Sequence, residues 1–446
     1  MENNIIKEQT FLSEILEGRE SNNVPEYVSA VRNAGALEVD KLPIPTQKHE
    51  EWKYTNLKPL IKNNYVSAQK VKGAGEVDDV SEHVFAESES QHLTFVNGVY
   101  REDLSVTDGL PEGVVVSNIA DVDTTHQGHI TEHLGKHAQY EDDPFTPFNS
   151  ANFRDGAFIY IPKETKLENP VQLLFITTDA DEAFFTTPRV LVVGERHCEI
   201  TIVEDYVSLA ENVYFNCPVT EVALAEGGKL THVKLQRESK SAFHIGRIAT
   251  SIKKDSEYHS YAVHLGSQLS RSDVKAVQLD ENTHCTLDGL VLVKGNQVSD
   301  THSVMDHAMP NCTSHQLHKC IVDDKAESIF NGKIFVRQDA QQTNAFQENR
   351  NLLLSNEGTV NTKPQLEIWA DDVKCSHGAT IGQLNEDQVF YLKSRGLSDH
   401  KSREILSYGF ALDVIESIPV ESIQKRLTVE VEKFTRSNTE VNNLVE

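Results

Sequence analysis

Between Ala157 and about Val373 the chain runs through short strand-like segments with no well-formed helical window between them. Ala157-Phe158-Ile159-Tyr160-Ile161, Val190-Leu191-Val192-Val193 and Leu230-Thr231-His232-Val233-Lys234-Leu235 are typical, rich in β-branched and aromatic residues and bounded by Gly, Asn or Asp. A doubly wound sheet needs a helix after nearly every strand, so α/β alternation is disfavoured. The tract exceeds 200 residues, which is long for one sandwich. A solenoid has no such limit, because each coil contacts only its neighbours. No strict repeat is visible. Pattern alone leaves sandwich, barrel and solenoid open, and length favours the solenoid.

The flanks read differently. Phe11, Ile15 and Leu16 recur at helical spacing, and Val28, Val31 and Leu37 continue it past Pro25. Pro43-Ile44-Pro45 then breaks the chain, and Trp52 and Tyr54 offer an aromatic pair that packs the domain. Leu93 to Tyr100 alternates around Asn97-Gly98, which predicts a hairpin. Beyond Leu384 three helices are expected. Asn385 caps the first, with Gln388 three residues on and Gly396 at its end. Ser398 caps the second, which carries Ile405, Phe410 and Val414 as far as Pro419, and Ile423, Leu427, Val431 and Phe434 stripe the third. These helices either cap the last coil or form a docking surface. The chain divides into a mainly helical N-terminal domain (1–148), a core (149–383) and a C-terminal helical domain (384–446).

Charge narrows the partners. With 68 acidic against 42 basic residues the formal net charge is -26, which excludes nucleic acid and anionic membrane as primary partners. The six cysteines are scattered, as expected of reduced thiols in a cytoplasmic setting rather than a disulfide framework. No signal peptide or membrane span is expected.

Three constellations could carry chemistry. Cys375 and His377 lie two apart after a strand-like run, so an extended backbone puts a thiol and an imidazole on one face, a pair suited to a soft metal or an iron–sulfur cluster. The alternative is a buried cysteine beside a satisfied histidine. His129-Ile130-Thr131-Glu132-His133 matches the His-x-x-Glu-His pattern of a zinc peptidase, with Glu132 as general base, although Gly128 and Gly135 would keep the helix short. A metal-dependent hydrolase is therefore the alternative function. The tract His302 to Cys320 holds His302, His307, Cys312, His315, His318 and Cys320, but strand parity sends His315 to the opposite face from Cys312, His318 and Cys320. No P-loop and no Gly-x-Ser-x-Gly elbow occurs.

The wording around Cys375 adds a resemblance. Lys363-Pro364-Gln365-Leu366-Glu367-Ile368, then Asp371-Asp372-Val373-Lys374-Cys375-Ser376-His377-Gly378-Ala379-Thr380, resemble the SufB/SufD family of scaffold subunits for SUF iron–sulfur cluster assembly. Phe330-Asn331-Gly332-Lys333, Asn349 to Ser355 and Phe390 to Gly396 extend the match, with fainter echoes at Glu51-Trp52-Lys53-Tyr54-Thr55 and Phe148-Asn149-Ser150-Ala151. Arg350 and Gly378 stand where the SufB branch has a cysteine and a glutamate, which points to the SufD branch. The resemblance implies a mainly β protein, a parallel β-helix core flanked by helical N- and C-terminal domains. It implies a non-enzymatic scaffold that pairs with SufB and binds the SufC ATPase through 384–446. His377, with Cys375 as a second ligand, would hold a transient iron–sulfur cluster shared with SufB. Flavin involvement is not readable from the residues. A homodimer pairing edge to edge is the further alternative.

Overall fold

The computed structural model describes residues 11–16, 24–39, 41–140 and 143–436. Two long sheets are built mainly, with a few strands of two or three residues beside them, from β1 Gln91–Val96, β2 Val115–Asn118, β3 Gly156–Ile161, β4 Val171–Thr177, β5 Arg189–Gly194, β6 Glu199–Ser208, β7 Val219–Leu224, β8 Lys229–Arg237, β9 Phe243–Ile252, β10 Glu257–His264, β11 Leu269–Gln278, β12 His284–Val293, β13 Val298–His307, β14 Thr313–Val322, β15 Glu327–Val336, β16 Asn344–Leu353, β17 Thr359–Ile368 and β18 Lys374–Gln383. From β3 onward odd strands stack in one sheet and even strands in the other, all parallel to their neighbours. This is a parallel β-solenoid, each odd–even pair making one coil. Partners in adjacent coils lie 26 residues apart at Arg247 and Asp273 but 33 apart at Gly156 and Arg189, which hides the repeat from the sequence.

The corners explain the recurring small polar residues. Glu164, His197, Asp255, Asn282, Asn311 and Gln342 have φ between 56° and 61°, and Gly227 has φ 67°, each where an odd strand turns into an even one. The left-handed region is cheapest for Gly, Asn and Asp, so four of these seven corners use the residue types the bend favours.

The expected hairpin forms, pairing Phe95 with Tyr100 and Val96 with Val99 across Asn97-Gly98. Its first strand does more than the sequence indicated: β1 also pairs in parallel with β4, and β2 pairs with β3, so N-terminal residues extend both sheets. Helices α1 Glu26–Val39, α2 Gln127–His133 and α3 Phe145–Asn152 pack beside them. At the other end stand α4 Glu386–Ser394, α5 Asp399–Ser417 and α6 Glu421–Arg436. Asn385 accepts from the Asp387 and Gln388 amides, and Ser398 accepts from that of Lys401, so both caps form as expected. Helices α5 and α6 do not plug the last coil. Their stripe of Val414, Ile415, Ile418 and Leu427 meets Val233, Val263 and Leu292 on the outer face of the even sheet, where apolar surface is available to bury.

Two polar welds fasten the flanks to the coils. Fully buried Glu221 on β7 accepts from Arg189 on β5 at 2.5 Å and from the amides of Gly135, His137 and Ala138. Arg189 also donates to Asn149 and Ser150 of α3, which explains Phe148-Asn149-Ser150-Ala151. Burial pushes the Glu221 pKa up, but Arg189 and the three amides outweigh it and hold the carboxyl below its ordinary value. The second weld is Glu50 to Thr55, laid across the outer face of the odd sheet. Trp52 lies under the Arg271 guanidinium, 3.8 Å from ring centroid to carbon, while Glu51 bridges Lys333 at 2.6 Å and His302 at 3.4 Å, and Glu50 pairs with Lys363. The His302 hydrogen bond, with help from Lys333, brings the Glu51 carboxyl down to about 2.

Two outcomes follow. Glu221→Ala leaves Arg189 buried without its counter-charge and should cost about 3–5 kcal/mol, read as a lower urea midpoint. Glu51, with its lowered pKa, stabilises the fold above its unfolded value near 4.5 and loses that contribution as pH falls towards about 2. Acid unfolding monitored by near-ultraviolet circular dichroism should therefore begin at higher pH in Glu51→Gln.

Candidate functional site

The two sheets enclose a lumen, and strand parity decides which side chains enter it. On β16 Ala345, Gln347, Asn349 and Asn351 are buried, while Phe346, Glu348 and Arg350 face outward. Cys375 pairs in register with Ala345, and His377 with Gln347. Both therefore occupy inward positions of the last coil, two residues and about 6.6 Å apart along the strand. The expected shared face is present. His377 is exposed and Cys375 half-buried because no further coil covers them among the described residues. Burial raises the Cys375 pKa, so its sulfur is a thiol at neutral pH.

The rim of this mouth is a pair of open edges. Among the described residues β17 pairs only with β15, and β18 only with β16. They differ in how they meet solvent. β17 carries Pro364, Lys363 and Glu367, features that blunt an edge. β18 has no Lys, Arg, Asp or Glu from Cys375 to Gln383. Its outward positions are Ser376, Gly378, Thr380 and Gly382, and a Cβ built on either glycine would meet nothing within 4 Å. Ile381 and, beyond β17, Trp369 expose apolar surface beside it. On the outer face, Arg350 forms a bidentate pair with Glu348 at 2.7 and 2.9 Å.

The other two constellations come apart. His129 stacks on Tyr160 at 4.3 Å, whereas His133 lies against His137 with 3.1 Å between ring nitrogens. The peptidase pattern is thus split between partners on different elements. In the His302 tract His302 joins Asp300 and Glu51, His307 meets Ser314, and Cys312 accepts from Thr283. His315 is outside and His318 inside, as parity required. Among the described residues no group of three His, Cys, Asp or Glu side chains is placed to hold a metal ion.

The sequence did not reveal two features. A groove of about 910 Å³ lies between the Glu50–Thr55 strap and the odd sheet, floored by Val304, Lys333 and Phe335 and ending at Trp369. Inside the lumen, Glu204 accepts from Tyr206 and Thr220 and contacts His232, and Glu238 contacts His244 at 2.7 Å, all fully enclosed. Charged residues at every second strand position were the available signal for the second.

The structure is a long parallel solenoid, helical at both ends and open at its last coil among the described residues. Residues 175–410 match the family model "SUF system FeS cluster assembly, SufBD core domain", and residues 14–173 match "SufBD protein N-terminal region". The chain is 38% identical to an iron–sulfur cluster assembly SufBD family protein of Synechocystis, over 89% of this chain and 88% of that one. It is 32% identical to the chloroplastic protein ABCI7 of Arabidopsis thaliana, over 93% and 87%, and 31% identical to iron–sulfur cluster assembly protein SufD of Escherichia coli, over 87% and 88%. The chain belongs to the SufBD family of the SUF iron–sulfur cluster assembly system, as a SufD-like member.

Five of the six cysteines are buried and only Cys375 is partly open. Brief alkylation of the folded chain at pH 8, mapped by mass spectrometry, should modify Cys375 alone, with the other five labelled only in denaturant.

Proposed function

We propose that this chain is a non-enzymatic scaffold that pairs with SufB through its open last coil, binds the SufC ATPase through its C-terminal helices, and helps hold a nascent iron–sulfur cluster at His377. The observation that carries this reading is the position of Cys375 and His377 at the mouth of the lumen, framed by an uncharged, unpaired edge strand. Strand addition there satisfies the free amides and carbonyls of β18 and brings a partner's ligands to the same mouth. The small outward residues of β18 let another backbone approach closely.

The cluster is cargo, assembled and then handed on. A single imidazole is a weaker ligand than a thiolate, which suits release. With two candidate ligands in this chain, the remaining ones come from the partner. Cys375 must lose its proton to ligate, and a metal ion supplies that driving force.

The SufC site is proposed at α4 and α5. Phe390 and Tyr391 are 73% and 56% exposed on α4, and Ile405 is 38% exposed on α5. Apolar surface of this kind, on helices already anchored from behind, fits a protein interface. The hydrolase alternative gains no support, because His129 and His133 serve different contacts. A cytoplasmic location fits the reading. A second copy of the chain fits the same edge when SufB is absent, and light scattering of the isolated chain reads that out.

The test is co-purification with SufB and SufC followed by anaerobic reconstitution. His377→Ala should leave the complex intact and lower its iron and sulfide content several-fold. Unchanged cluster content in that variant would remove His377 from the site, and failure of the wild-type chain to form the complex would remove the scaffold reading itself.

A further inference from the structure

The lumen behind His377 is lined by polar groups that find no protein partner. His264 is fully enclosed, yet neither of its ring nitrogens has a hydrogen bond among the described residues. The same holds for Nε2 of His244, Nε2 of His318, Nε2 of Gln316 and Oε1 of Gln347, all on buried side chains. These residues belong to β9, β10, β14 and β16 and share inward parity with Cys375 and His377.

Glycines make room for the row. A Cβ on Gly246 would lie 2.7 Å from the Lys234 ammonium and 3.0 Å from His244 Nε2. One on Gly289 would lie 2.5 Å from His318 Nδ1, so the His318 ring leans back over β12 towards His264. One on Gly332 would meet the Gln347 amide at 2.4 Å. Gln347 donates to Gln316 at 3.1 Å, and Gln347 is the register neighbour of His377. The row therefore runs from Lys234 on β8 to the mouth on β18, five steps along the even sheet and roughly 24 Å. Buried donors and acceptors in folded proteins are satisfied by protein or by ordered water. Side chains that each need a hydrogen-bond partner suit water rather than an apolar ligand.

We propose that the lumen of this chain holds a file of ordered water molecules from the Lys234–His244 neighbourhood to Gln347, opening to solvent beside His377. Such a file passes protons by relay, each water accepting one and releasing one. What the relay serves rests on the proposed function: a hydrosulfide ion built into a cluster as sulfide releases one proton, and the file, open at the mouth, takes that proton from the cluster site and releases one to solvent.

The experiment uses the isolated full chain and no cluster. Exchange of imidazole C2 hydrogens with deuterated water is followed by mass spectrometry in the folded protein. His264 and His318 should exchange at rates set by the native state, well above the rate of global unfolding. Gln347→Leu should plug the mouth and slow both at least tenfold, while exposed His315 stays unchanged. If Gln347→Leu fails to fold, Gln316→Leu places the plug one coil deeper. Exchange of His264 and His318 only at the global unfolding rate, or rates unmoved by a plug in a folded variant, would overturn the proposal. Cluster content of the His377→Ala complex is a separate readout, so loss of the cluster reading and loss of the water file are distinguishable.

Discussion

Parallel backbone pairing between coils is the interaction on which everything else here depends. Each strand from β5 to β16 gives its amides and carbonyls to a neighbour on either side. Such a stack has no intrinsic stop, and whatever ends it must cope with a free edge. At the N-terminal end this chain solves the problem internally, with β1, β2 and the helices beside them. At the C-terminal end β17 and β18 stay open, and the two inward positions that carry a thiol and an imidazole fall on that rung. Unsatisfied backbone and candidate ligands thus share one place.

Both outer faces of the solenoid are covered in part, whereas its last coil is open among the described residues. The strap at Trp52 and the aromatic cluster around Phe145, Phe148 and Phe215 cover part of the odd sheet, and α5 and α6 cover part of the even one. That coverage lets the middle strands carry apolar residues on their outer face, Val233, Val263 and Leu292 among them. β18 lacks that cover, and its outward residues Ser376, Gly378, Thr380 and Gly382 are correspondingly small.

That double coverage explains what the sequence could and could not convey. Runs of β-branched residues and the Asn, Asp and Gly corners announced strands, and Asn385 and Ser398 announced helix starts. Two-residue periodicity put Cys375 and His377 on one face and separated His315 from His318. It could not say which face was the lumen, because that depends on register against strands some 30 residues away in the chain, as with Gln347 and His377. Nor could it place Trp52, whose partner Arg271 lies 219 residues further on. The luminal acids and histidines escaped notice for the same reason: Glu204 and His232, 28 residues apart, meet only through the register of neighbouring strands.

The strap from Glu50 to Thr55 has a mechanical consequence. It grips Arg271 and Asp300 in the middle of the odd sheet and Lys333 and Lys363 near its end. A stack of parallel coils peels most readily from its free end, one rung at a time. Here the last rung cannot lift until a segment from the opposite terminus lets go, so the two ends of the polypeptide act as one latch. The open coil can stay unpaired and still keep its shape, and cutting away the first sixty residues would fray that end.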